Sequence, residues 1–174
     1  MKGYLHIYEG DGKGKTTAAV GLAVRCAGSG QKVLFTQFLK GNTSSEIGVL
    51  ERIPNIIVYQ NHKAFGFSFM MDSREQNDAK TYYRDHFRET IFFAKRERVR
   101  LLVLDELLDV YNLNMVDQAE VCHFLRTRPA DMEVVLTGRN PSTELVRMAD
   151  YISQVKKIKH PYDWGVSARV GIEM

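Results

Sequence analysis

Apolar and polar positions along this chain fall into blocks that predict strands and helices in turn. Tyr4-Leu5-His6-Ile7-Tyr8 reads as a strand and runs at once into a glycine-rich turn. Residues 15–27 are nearly all good helix formers, and Gly28-Ser29-Gly30 stops the run. Lys32-Val33-Leu34-Phe35-Thr36-Gln37-Phe38 and Ile56-Ile57-Val58-Tyr59 predict two more strands. Ser73 with Gln76 fits a capping box. A long helix then carries an apolar stripe through Ala79, Tyr83, Phe87, Ile91 and Ala94 at three- and four-residue steps. Leu101-Leu102-Val103-Leu104 is apolar without alternation, as in a strand buried on both faces of a parallel sheet. A helix over 116–125, a strand at Val134-Val135-Leu136, a short helix over 143–148 and a strand near 151–155 complete the series. Such alternation predicts an α/β fold, a mostly parallel sheet with helices on both faces. Residues 41–72 read as an irregular insert, and a loose segment of that length in a compact domain points to function.

Length and composition narrow this picture. With 174 residues, the chain predicts a single domain over 1–174. Its net charge of +3 and its interleaved acids and bases, as in Lys95-Arg96-Glu97-Arg98, leave no footprint for nucleic acid. Cys26 and Cys122 form no CxxC pair, which argues against a disulfide framework or a zinc site. His6, His62, His86 and His123 show no metal-binding spacing and read as packing or surface residues. With no signal peptide pattern and no apolar run of membrane-spanning length, the expected location is the cytoplasm, with no membrane partner.

The strongest chemical signal is Gly10-Asp11-Gly12-Lys13-Gly14-Lys15-Thr16-Thr17, set between a strand and a helix. Glycines let the backbone curl so that N–H groups converge on phosphate oxygens, and the helix that follows adds its positive end. Lys15 supplies a mobile charge, and the Thr16 hydroxyl suits Mg²⁺. The loop is one residue shorter than the common form, with Glu9 where that form has glycine and with an additional Lys13. Asp105-Glu106 ends a hydrophobic strand, at the sheet edge where ligands collect in open α/β folds. These carboxylates suit Mg²⁺ or Mn²⁺, although Asp105 alone also fits a helix cap. Arg139, after Leu136-Thr137-Gly138, is a candidate phosphate brace or an ordinary turn residue.

Taken together, these stretches resemble the ATP:corrinoid adenosyltransferases, the cob(I)yrinic acid a,c-diamide or cob(I)alamin adenosyltransferases. The matching pieces are Gly10 to Ala19, Gly21 to Arg25 with Gly28, and Gln37-Phe38-Leu39-Lys40-Gly41. Gly66-Phe67, Leu104-Asp105-Glu106-Leu107 and Leu136-Thr137-Gly138-Arg139-Asn140 follow. The tail adds Lys159-His160-Pro161-Tyr162, Gly165-Val166 and Gly171-Ile172-Glu173.

The resemblance implies a P-loop NTPase-like (RecA-like) fold. It also implies a reaction in which a Co(I) corrinoid attacks the 5′ carbon of ATP and tripolyphosphate leaves. By the same resemblance Gly10, Asp11, Gly12, Lys13, Gly14, Lys15, Thr16 and Thr17 hold the triphosphate, with Arg25 and Arg139 near the nucleotide. Thr16, Asp105 and Glu106 would hold the metal, and Phe67 and Phe69 would approach the corrinoid. On pattern alone, Phe67 and Phe69 read as alternating strand packing. A flavoprotein reductase supplying Co(I) and a homodimer are further implications. The family often has asparagine at the position of Asp11, and a carboxylate beside a triphosphate is repelled unless it is paired. Trp164 departs from the family tail. The phosphate loop and acidic pair by themselves also fit an ATPase, a small-molecule kinase or a non-catalytic binding module.

Overall fold

A computed structural model describes residues 2–40, 44–60 and 72–173. Six strands form one sheet in the order β3-β2-β4-β5-β1-β6, and every pairing is parallel. The strands are β1 (Leu5–Glu9), β2 (Val33–Gln37), β3 (Ile56–Val58), β4 (Leu101–Asp105), β5 (Glu133–Gly138) and β6 (Tyr151–Gln154). The helices are α1 (Lys15–Gly28), α2 (Ile47–Leu50), α3 (Ser73–Arg96), α4 (Leu107–Asn112), α5 (Gln118–Thr127) and α6 (Thr143–Met148). A 3₁₀ turn follows at Pro161–Trp164.

The predicted parallel α/β architecture is therefore the one found. β2 and β4 are buried at every position, which is why neither shows a two-residue alternation in sequence. The pleat sends successive residues to opposite faces. Val33, Phe35, Leu101 and Val103 meet the alanine face of α1, where Ala19, Ala23 and Ala27 recur every four residues. Leu34, Leu102 and Leu104 turn to the other face, against Tyr83 and Phe87 of α3 and Val121 and Leu125 of α5. Alanine at the three buried positions lets α1 lie close on the sheet, and the short loop after β1 places its N-terminus at the sheet's C-terminal edge.

Some local expectations need correction. The cap of α3 is Asp72, not Ser73: its carboxylate accepts from the Arg74 and Glu75 N–H groups, both at 2.8 Å, while Glu75 accepts from the Asp72 N–H. The same spacing one residue earlier supplies a charged acceptor, and Ser73 becomes the first helical residue. The helix expected over 116–125 starts two residues later because Asp117 caps it through the Glu120 N–H. The segment 41–72 holds the expected strand as β3 and also the short helix α2, which makes it less irregular than expected; Phe65, Gly66, Phe67 and Phe69 fall outside the described residues. His86 is a packing residue: buried, it shares a 2.7 Å hydrogen bond with the Thr36 hydroxyl and stacks on Tyr59. Both cysteines are free. No described helix is long and apolar enough to cross a membrane.

The phosphate loop is held by its neighbours. Gly10 N–H donates to the Gly138 carbonyl at 3.2 Å, and Gly12 N–H donates to the Val155 carbonyl at 2.8 Å. Gly10 has φ +122, and a Cβ there would lie 2.4 Å from the Val155 carbonyl oxygen. Gly10→Ala is therefore expected to destabilise the fold by about 3 kcal/mol, a fall in Tm of roughly 6–12 °C. Gly14 has φ +123 but open space around it. Gly14→Ala should therefore cost only the backbone term, about 1 kcal/mol. Equal melting temperatures for the two variants would contradict this contrast.

Candidate active site

The C-terminal ends of β1, β2, β4 and β5 meet at one edge, and the chemistry gathers there. The start of α1 places Lys15 and Thr16 over that edge. β4 delivers Asp105, which has no exposed surface. Its carboxylate accepts from the Thr16 hydroxyl at 2.9 and 3.1 Å, the Thr137 hydroxyl at 2.6 Å and the Gln37 amide at 3.1 Å. Lys40 adds a fourth donor at 3.4 Å. A buried carboxylate needs such donors. Asp105 is thus a hub of the site rather than a helix cap; the residue at the cap position of α4 is Glu106, whose side chain makes no cap hydrogen bond.

Glu106 has φ +61, an uncommon left-handed conformation for a non-glycine residue. Its N–H donates to the Thr137 hydroxyl at 2.9 Å, so Thr137 bridges the two acidic residues. Burial pushes the Glu106 carboxyl up to about 7; Lys40 pulls against this, and Asp105 and Asp109 add to it.

The lysines are under matching pressure. Lys15 donates to the Gly12 carbonyl at 2.9 Å. Burial, with Arg139 repelling it, lowers its pKa, so an arriving anion would relieve both effects. Burial also works against the Lys40 charge, but Asp105, Glu106 and Glu46 outweigh it, and its pKa ends above the ordinary lysine value.

Lys15, Lys40 and Glu106 line a cavity of about 600 Å³, with Asp105 buried behind them. Asp11, Gly12, Lys13, Gly14, Lys15, Thr16 and Thr17 form its floor, with Lys40, Glu106 and Arg139 beside them. The tail supplies the far wall through His160, Tyr162, Val166 and Glu173. Arg25 is not among the lining residues. It lies exposed in the last turn of α1, ten residues or about 15 Å along the helix from Lys15. Phe67 and Phe69 lie outside the described residues. Asp11 has its partner: it accepts from the Lys157 N–H at 2.9 Å, which holds its carboxyl below the usual range.

Lys40, Gln37 and Thr137 have no assigned role in the motif reading, although each lies in a stretch that carries the resemblance. Their signal was positional: all three follow or end strands that flank β4, and a parallel sheet brings those ends to one edge. The oxygen set of Thr16, Asp105 and Glu106 suits a hard divalent cation. An ammonium already lies among these oxygens, so the place accepts positive charge. No cluster of three or more His, Cys, Asp or Glu side chains forms a metal cage among the described residues. Two carboxylates and a hydroxyl match Mg²⁺ that arrives with phosphate ligands of its own.

A parallel sheet, a glycine loop opening a helix, and an acidic strand end two strands away define a P-loop nucleotide-binding fold. The chain spans 98% of its length against the EssC ATPase 2 and 3 region from Geobacillus thermodenitrificans, with a TM-score of 0.53 and 14% identity, and covers 36% of that chain. That likeness concerns the fold alone. The chain belongs to the ATP:corrinoid adenosyltransferase BtuR/CobO/CobP family, whose model matches residues 1–174. It is 34% identical to the corrinoid adenosyltransferase of Escherichia coli K12 and 33% identical to CobA of Salmonella typhimurium LT2. Both matches cover 99% of this chain and 86% of the relative. The corrinoid adenosyltransferase of Pseudomonas aeruginosa is 30% identical over 99% of the chain and 84% of its own length.

Proposed function

We propose that this protein transfers the 5′-deoxyadenosyl group of ATP to the Co(I) of a corrinoid, with release of tripolyphosphate. One observation carries the reading beyond family membership: Lys13, Lys15 and Arg139 line the same cavity as Thr16 and Glu106. That is a set of cations for a departing polyphosphate beside a place for its metal. Cobalt attacks C5′, the bond from C5′ to the triphosphate oxygen breaks, and the electron pair leaves with the tripolyphosphate. Co(I) is already a strong nucleophile, so catalysis consists of alignment and stabilisation of leaving-group charge.

Lys13 and Lys15 hold the phosphate chain from the loop, and Arg139 braces it from the turn after β5. Thr16 and Glu106 ligate Mg²⁺, and Asp105 orients Thr16 from behind. The metal neutralises phosphate charge when bound. Asp11 anchors the loop to the segment after β6 through Lys157, and this supports nucleotide binding despite its charge. Phe67 and Phe69 approach the corrinoid face in this reading, a flavoprotein reductase supplies the electron, and the protein works as a homodimer. The edge strand β6, exposed along its length, supports a pairing surface.

Glu106 favours one second reading. A half-buried carboxyl near 7 beside a phosphate loop would also suit a base in phosphoryl transfer. One assay separates the two. The protein is mixed anaerobically with Mg·ATP and chemically reduced cobalamin, the visible spectrum is followed, and phosphate products are measured. Loss of Co(I) with adenosylcobalamin and stoichiometric tripolyphosphate is expected. ADP and orthophosphate without adenosylcobalamin would replace this proposal with the phosphoryl-transfer reading.

A further inference from the structure

Lys40 follows β2 and is largely withdrawn from solvent, with 28% of its side chain exposed. Its Nζ donates to the Thr16 hydroxyl at 3.1 Å and to Asp105 Oδ2 at 3.4 Å, and it lies 3.7 Å from Glu106 Oε1. Thr16 and Glu106 are the residues that the proposed function gives to the divalent cation, with Asp105 behind them orienting Thr16. An ammonium and a divalent ion cannot share them, because like charges at that separation repel strongly in a half-buried site. Lys40 also lines the cavity that would receive the triphosphate, so phosphate oxygens offer it another partner within the same space.

We propose that Lys40 is a tethered counter-cation of the metal site: its ammonium holds the place among Thr16, Asp105 and Glu106, and yields it only when a triphosphate is present. This rests on the reading of those oxygens as metal ligands. Lys40 is then a positioning residue with two consequences. In the nucleotide-free protein it neutralises the acidic pair and excludes loose divalent ions. On binding of Mg·ATP it exchanges carboxylates for phosphate, so metal and nucleotide enter together. A flexible lysine suits this exchange, since its compact charge ends four methylenes with several rotatable bonds.

The test is Mn²⁺ binding to the full chain, read by water proton relaxation, with and without ATP. Without nucleotide, wild type is expected to bind Mn²⁺ weakly. Lys40→Met should bind it at least tenfold more tightly, and adding Glu106→Gln to Lys40→Met should remove the gain. Lys40→Arg, which keeps the charge, should stay near wild type. ATP should tighten Mn²⁺ binding to wild type by a larger factor than to Lys40→Met. Thermal melts confirm that each variant is folded, and Lys40→Gln replaces Lys40→Met under the same criteria if methionine is not tolerated. A gain below threefold in a folded, uncharged variant overturns the proposal, as does an equal gain in Lys40→Arg. Wild type that fails to bind Mn²⁺ even with ATP would overturn the metal site itself, and Lys40's role with it. Wild type that binds Mn²⁺ with ATP, beside a Lys40→Met protein that gains nothing without it, would overturn the Lys40 role alone.

Discussion

Lys15→Ala is expected to lower kcat/KM for adenosyl transfer by about 10²- to 10³-fold while leaving the fold intact. That magnitude is typical for removing one preorganised group that faces developing anionic charge. The geometry supports a loss in function without a loss in stability. Among the described residues Lys15 has one hydrogen bond, to the Gly12 carbonyl; burial and Arg139 oppose its charge, and Asp109, Glu106 and Asp105 favour it. Losing that bond costs about 1–2 kcal/mol, and removing a charge that burial and Arg139 disfavour offsets part of it. The chain should therefore melt within a few degrees of wild type. Lys15→Arg should not restore full activity, since the larger planar guanidinium does not fit where a compact ammonium folds back over the loop. Steady-state kinetics with varied Mg·ATP separate the two components. A fall in kcat reports leaving-group stabilisation in the transition state, and a rise in KM reports ground-state binding. A variant within threefold of wild type in kcat/KM would remove Lys15 from the proposed machinery.

Glu106→Gln should move activity and stability in opposite directions. Activity should fall by about 10²-fold, because a neutral amide is a poor ligand for a hard divalent ion. Stability of the nucleotide-free protein should rise at alkaline pH. The carboxyl's ordinary value is 4.5, and burial raises it to about 7 in the folded chain. The folded state therefore holds the proton more tightly than the unfolded state. Stability from this group is fully present below about 4.5 and is lost as pH rises through 7. At pH 8 the full penalty of an ionised, partly desolvated carboxylate is felt, on the order of 1–3 kcal/mol. Glutamine removes that penalty, for a gain in Tm of several degrees. Most of the gain should be gone by pH 5. Mg²⁺ with ATP should reverse the order at pH 8, since only the wild type gains binding energy from the ion. Melting curves at both pH values, with and without Mg·ATP, check the whole pattern. A stability gain that is independent of pH would sever it from the Glu106 proton.

Such trade-offs are expected where a site carries strain and desolvated charge for the sake of a ligand. Glu106 shows both, in its left-handed backbone and its raised pKa. Asp105, one residue earlier, has ordinary backbone and accepts hydrogen bonds from Thr16, Thr137 and Gln37.

The sequence by itself determined the elements and the chemistry that local rules govern. The continuous apolar run at β4 announced a strand covered on both faces, and a glycine loop between strand and helix announced a phosphate site. Asp105-Glu106 gained its meaning from the phosphate loop in the same chain, since acids at the end of a hydrophobic strand lie at the edge where ligands collect. The ordered set of motifs carried the family. The tertiary structure decided what depends on which strands become neighbours. The order β3-β2-β4-β5-β1-β6 puts Gln37 and Thr137 on either side of Asp105, and no sequence spacing encodes those separations of 68 and 32 residues. It left Arg25 off the cavity lining, although a ten-residue separation along the expected helix α1 already set it about 15 Å from Lys15. It gave Asp11 a backbone partner 146 residues away, which answers the charge repulsion that its identity alone predicts. It also brought Lys40 among the acids, a contact no motif announces, because a side chain's Coulomb partners are set by three-dimensional distance rather than by order along the chain.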